Sequence, residues 1–206
     1  MTLLDMVVAL MILAIVLSGL YAWLYSTTRA AGTVTVRTNL NLEATRAVEK
    51  VSREILSAGV STLFPSNPSA PLGTSQLTYQ KGQGWGASGK VWSAPMRIEL
   101  RFANGEIDDG IDNNGDGLVD EGTVYLILDA NLATEREMPI ATNVKEYFGD
   151  EEPNAIDDND NGLVDERGLS FELRDDQLTI RLSLIGVLPG GSIIRSDVEQ
   201  SVRMRN

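Results

Sequence analysis

Residues 1–28 read MTLLDMVVALMILAIVLSGLYAWLYSTT. Between the first residue and Arg29 one side chain carries charge, Asp5. From Leu3 to Tyr25 the run is about 23 residues, or ~35 Å as a helix, enough to span a bilayer. It is apolar on every side, as a lipid-facing or bundle-buried helix must be. No basic segment precedes it and no small-x-small site closes it, so it does not read as an intact secretory signal. Ser26, Thr27 and Thr28 mark the exit from the apolar phase. Trp23 and Tyr25 suit either an interfacial position or ordinary packing. A lone carboxylate in hydrocarbon is expensive, so Asp5 needs a partner or a place at the headgroup level, where the helix dipole favours an acid.

The helix is expected to continue beyond this run. Ala44, Val48, Val51 and Ile55 recur at four-three-four spacing, with Glu43, Arg46, Glu49, Lys50, Arg53 and Glu54 on the other faces. Ala58-Gly59 supplies a stop. Between the halves, GTVTVRTN (32–39) is poor in helix formers and marks a place to bend or melt, as does Gly19. The chain thus divides into an apolar helix (1–28), an amphipathic continuation (29–59) and a head (60–206).

Composition narrows the chemistry. Among 206 residues there is no cysteine and no histidine, and the net charge is −12. Disulfides and thiolate metal sites are excluded, and the commonest general base and zinc ligand are missing, which argues against an enzyme. The helical half carries slightly more base than acid, so the excess acid sits on the head. Such a surface repels nucleic acid and attracts cations.

The head reads as strands. MRIELRF alternates Met96, Ile98, Leu100 and Phe102 with charged residues, a half-buried antiparallel signature. QLTYQ, TVYLILD, NVKEYF, LSFELRD, QLTIRLSLIG and IIRSDVEQSVRMR are expected to be further strands, with Arg174-Asp175-Asp176-Gln177 a hairpin turn. SNPSAPLGTS and KGQGWGASGK read as loops. A long helix followed by antiparallel strands is the α+β plan.

Two acidic insertions, 106–122 and 150–167, interrupt the strands and align at an offset of 45 residues. Their shared core is I-D-x-N-x-[DN]-G-L-V-D-E. Oxygen-bearing side chains at loop positions 1, 3 and 5 converge when the backbone wraps tightly. Glycine at position 6 permits the turn, position 7 offers its carbonyl, and an acid at position 9 closes the far side. The candidate ligands are Asp112, Asn114, Asp116, Leu118, Asp120 and Glu121 in the first loop. In the second they are Asp157, Asn159, Asn161, Leu163, Asp165 and Glu166, with Asp108, Asp109 and Glu151 as further donors. Six to eight oxygens on a flexible loop suit Ca2+ better than Mg2+, so two calcium ions are expected, the weaker at Asn161. Position 12 holds Thr123 or Gly168, so the bidentate glutamate of a helix–loop–helix hand is missing there. The other reading is a pair of solvated acidic turns. Fifteen carboxylates lie in the two insertions and repel one another without cations.

Thr2-Leu3-Leu4-Asp5 followed by the apolar run resembles the mature N-terminus of type IV pilins and of the pseudopilins of type II secretion. RAVEKVSREILSAG (46–59) and the terminal VRMRN resemble the minor members of that group. The acidic loops resemble the calcium repeats of secreted and thrombospondin-type modules. The pilin resemblance implies a head whose sheet packs on the second half of the helix. It also implies a Met1 exposed by a prepilin peptidase and an Asp5 that meets the Met1 amine of a neighbouring subunit during assembly. The implied partners are copies of the chain and other pilins, and the inner membrane before assembly into an extracellular filament. Aspartate stands where the family usually has glutamate, and Ala22 stands where many members have a helix-breaking proline. Two other functions fit the same residues: a minor pseudopilin in a secretion tip complex, and a membrane-anchored, calcium-dependent adhesin that never polymerises.

Overall fold

A computed structural model of the chain describes residues 2–87 and 89–204. Met1 and the Asp5 side chain, expected to carry assembly, lie outside what is described. Helix α1 runs unbroken over Leu3–Leu56, 54 residues or ~80 Å. Most of its first half is bare: Leu10, Leu13, Leu17 and Leu20 are each at least half exposed. This half is long and apolar enough to cross a membrane, with a mean hydropathy of 2.5 over its best 18-residue window. The second half buries Ala44, Ala47, Val48, Val51 and Ile55. The alanines let the backbone come close to the sheet, and the branched residues fill the space between its strands.

The weak segment 32–39 is helical, with no melted turn. Thr33 and Thr35 donate their hydroxyls to the carbonyls of Arg29 and Ala31, at 3.1 and 3.0 Å. Pro189 lies against Gly32, Gly190 against the Arg29 guanidinium, and Val36 and Leu40 against Gly186. Tertiary packing on one face overrides the poor local propensity.

The strands are β1 (Gln76–Tyr79), β2 (Gly82–Gly86), β3 (Gly89–Trp92), β4 (Met96–Phe102), β5 (Gly122–Leu128), β6 (Arg136–Val144), β7 (Leu169–Arg174), β8 (Gln177–Val187) and β9 (Ile193–Arg203). The main sheet is antiparallel, in the order β1-β4-β5-β6-β8-β7, with β9 also on β8. One side of β8 is covered by β9 along its length. The other side takes β7 from Gln177 to Leu182 and the end of β6 at Leu184. The fold is α+β, with α1 lying across β9, β8 and β6. Asp175, at φ +56°, makes the expected tight turn between β7 and β8.

Three expectations change. KGQGWGASGK is not a plain loop: most of it pairs into the exposed ribbon β2–β3. NVKEYF is strand only at its start. The strand proper lies upstream, hidden by Pro139, where pairing with β5 slips register because proline cannot donate to the ladder. In β4 the alternation is broken by Glu99, which is buried alongside Ile98. Arg97, at 2.6 Å, and Arg101 neutralise it, while Phe102 at the strand end is partly exposed.

The core joins the α1 stripe to Leu77, Ile98, Val124, Leu126, Phe171, Ile180, Leu182 and Leu184. Ile55 is fully buried while its neighbour Leu56 is half exposed. In urea unfolding of the detergent-solubilised chain, Ile55→Ala should cost about 2–5 kcal/mol. Leu56→Ala should stay within about 0.5 kcal/mol.

Candidate metal centres

Each acidic insertion is a loop closed at its base by strand-like pairing. Loop 1 leaves β4 and returns to β5, with Phe102 opposite Gly122. Loop 2 leaves β6 and returns to β7 through a bridge between Tyr147 and Arg167. The backbone repeats at the sequence offset. Ala103 N–H donates to the Glu121 carbonyl and Phe148 N–H to that of Glu166, both at 2.9 Å. Positive φ recurs at Gly110 and Ala155 (+74° and +63°), Gly115 and Asp160 (+80° and +58°), Gly117 and Gly162 (+91° and +92°), and Asp120 and Asp165 (both +50°). Ala155 and Asp160 hold conformations that favour glycine, so loop 2 keeps its shape against a local steric cost.

Inside each loop the expected ligands turn onto their own amides. Asp112 accepts from Gly115 N–H at 2.6 Å and Gly117 N–H at 2.9 Å. Its counterpart Asp157 accepts from Asn161 at 3.1 Å and Gly162 at 2.7 Å. Asn114 and Asn159 accept from the amide two residues on. Asp116 and Asn161 hold the amides of Leu118 and Leu163, whose side chains are buried and anchor the loops.

Asp120 and Asp165 face the other way. Asp120 accepts from the amides of Asp109 and Gly110, and Asp165 from those of Asn154 and Ala155. The acid at position 9 therefore ties the end of each loop to its beginning.

A second device is Glu106 and its counterpart Glu151. Oε1 of Glu106 accepts from Asn113 and Asn114, and its Oε2 from Asp120. Oε1 of Glu151 accepts from Asp158 and Asn159, and its Oε2 from Asp165. Each carboxylate is buried at the centre of its loop. Spacing alone takes Glu106 as no more than the start of the insertion; its match to Glu151 at the same offset is the sequence signal for this role.

Glu121 and Glu166 are the residues that point to a ligand. Both are 1 % exposed. Oε1 of Glu121 accepts from Asn114 Nδ2 at 2.7 Å, and Oε1 of Glu166 from the amides of Asn159 and Asn161. In both residues Oε2 is buried without a hydrogen-bond partner. A buried carboxylate oxygen left unpaired is costly, and here it occurs twice at matched positions. Among the described residues, no lysine or arginine side-chain nitrogen forms an ion pair within 4.0 Å of the carboxylates of Glu106, Asp112, Asp116, Glu121, Glu151, Asp157 or Glu166. Burial, with Asp116 and Glu106 nearby, pushes the Glu121 carboxyl up despite its hydrogen bonds. Burial, with Glu166 nearby, does the same at Glu151. A carboxylate raised in this way contributes stability that is lost as pH rises through its folded value, so charge is the loops' difficulty near neutrality. All-oxygen donors with unspent negative charge fit a hard divalent cation.

One grouping crosses the loops. Among the described residues, Asp108, Asp120 and Glu146 form a trio with one oxygen each within 4.8 Å of the others. Arg167 pairs with Asp108 at 3.6 Å and with Glu146, and its guanidinium stacks 4.8 Å from the Tyr147 ring. The positive charge at this trio thus comes from the protein. Asp120 also lines a cavity of about 200 Å3 with Glu146, Arg167 and the loop 1 base.

Compared with known proteins, the chain matches no family model, no curated protein and no solved structure.

Glutamine at position 106 has one acceptor oxygen where glutamate has two, and its amide group would face a backbone N–H. Glu106→Gln should destabilise the chain by about 1–3 kcal/mol. Hydrogen exchange should report lost protection at Asn113, Asn114 and Asp120, with loop 2 amides unchanged.

Proposed function

We propose that this chain is the structural subunit of a type IV pilin-like filament, held in the inner membrane by the first half of α1 and then packed helix to helix in an extracellular fibre. The observation that carries the reading is the division of α1. One continuous helix is bare and apolar over its first half and buried against an antiparallel sheet over its second. A helix apolar all round must be covered by lipid or by other helices. An exposed apolar face this large needs an environment that the head does not supply. In the filament reading, lipid covers it before assembly and neighbouring subunits afterwards. The Asp5 carboxylate of one subunit then meets the Met1 amine of the next, which neutralises a charge that hydrocarbon alone would not accept.

Calcium is the proposed cofactor of the head, one ion in each loop. Support comes from the unpartnered oxygens of Glu121 and Glu166, the duplicated backbone, and the absence, among the described residues, of an ion pair to either glutamate. Each ion would draw on the oxygens at positions 1, 3 and 5 and on the glutamate at position 10. Its role is bracing: charge that strains the loops when they are empty becomes coordination when they are filled. Loop 2 has a partial substitute, because Asn161 donates an amide to Glu166 where loop 1 sets Asp116 against Glu121. Loop 1 should therefore bind more tightly.

Two measurements test these readings separately. Asp5→Ala in the producing cell should abolish fibres seen by electron microscopy while the membrane pool stays normal. Unchanged surface function without fibres in the wild type would instead favour a membrane-anchored adhesin. For the cofactor, calcium at 100-fold excess over its Kd should raise the melting temperature of the chelator-stripped chain by about 5–10 °C per filled site. A melting temperature indifferent to calcium would overturn the calcium reading and leave the filament reading standing.

A further inference from the structure

The two loops are separate in sequence but end on one shared set of charges. Asp120 precedes Glu121, which carries the unpartnered oxygen of loop 1. Arg167 follows Glu166, which carries that of loop 2. Asp120 belongs to the trio with Asp108 and Glu146, and Arg167 pairs with two members of that trio. Asp108 directly precedes the turn at Asp109 and Gly110, whose amides Asp120 holds. Its position is therefore set by how loop 1 wraps. Glu146 and Arg167 flank loop 2, joined by the Tyr147–Arg167 bridge and by the Gly168 N–H on the Glu146 carbonyl at 2.7 Å. The node thus takes Asp108 from loop 1, with Asp120 beside it, and an acid and a base from the stem of loop 2. Asp120 and Arg167 also line the same cavity.

We infer that the two cation sites are positively coupled through the Asp108–Arg167–Glu146 node, so that filling either loop raises the affinity of the other. This rests on the calcium reading given above. A cation in loop 1 fixes Glu121, and with it the adjoining Asp120 and the Asp108 turn that Asp120 clamps. That half of the node is then in place for Arg167. With Arg167 held, the neighbouring Glu166 no longer has to be ordered when loop 2 fills. The same sequence runs in reverse from loop 2. Two sites that share one ordering step pay it once, which is sufficient for positive cooperativity. Linkage requires the factor to be identical in both directions.

The test is calcium titration by calorimetry of the full chain in detergent micelles after chelator stripping. The wild type should bind two ions with a Hill coefficient above one. Asp112→Ala removes loop 1 and should weaken the remaining site about tenfold. Asp157→Ala should weaken loop 1 by the same factor. In an Arg167→Gln background the two ions should bind independently, and adding Asp112→Ala should leave loop 2 unchanged. If Asp112→Ala does not fold, Asp112→Asn serves in the same cycle. Two ions bound independently by the wild type would overturn the coupling but not the calcium sites. Equal losses with and without Arg167 would also overturn it, since the coupling would then run elsewhere. No bound calcium in the wild type would overturn the calcium reading and this inference with it.

Discussion

The structure depends on one constraint: a single helix must satisfy two environments in succession. α1 offers a narrow buried stripe from Leu40 to Ile55 and nothing comparable before it. A sheet that is to bury its inner face has one place on the helix to do so. β8 and β9 settle there, and the remaining strands of the main sheet extend outward from β8. The first half of the helix is excluded from the head because its apolar residues circle the axis and leave no polar face to turn to solvent.

Elements set by local pattern were legible in the sequence. The helix periodicity from Ala44 to Ile55, the strands β4, β5, β7, β8 and β9, and the duplicated acidic loops all follow from spacing. Elements set by distant partners were not. The segment 32–39 is helical because Pro189 and Gly186 lie against it, and nothing in the segment itself says so. β6 was hidden by Pro139, which removes a donor yet is tolerated where the ladder slips. Glu99 looked like an outward charge in β4, but the arginines on either side turn it into a buried one.

The loops divide along the same line. The oxygen-rich core was visible because the spacing is local. The outward tie of Asp120 and Asp165 was not, since their acceptors serve amides ten residues or more upstream. Nor was the node at Arg167, which draws residues from both loops. Duplication was the strongest sequence signal, and its structural counterpart is a backbone that repeats even where glycine has been replaced. Ala155 and Asp160 stand at positive φ where loop 1 has glycines. Their unfolded chain is less free than glycine would make it, which offsets part of the native steric cost.

The hairpin tip between β8 and β9, where Pro189 meets Gly32 and Gly190 meets Arg29, works as a collar on a rod. Below it, about 26 residues or ~39 Å of helix project free. Above it the rod is sheathed by the sheet. In the proposed reading, where lipid or neighbouring shafts receive the bare helix, the collar would limit insertion depth more sharply than the gradual fading of hydrophobicity along Ser26, Thr27 and Thr28. On that reading the head would stand at a fixed height above that phase, and the two acidic loops would be carried at a fixed height with it.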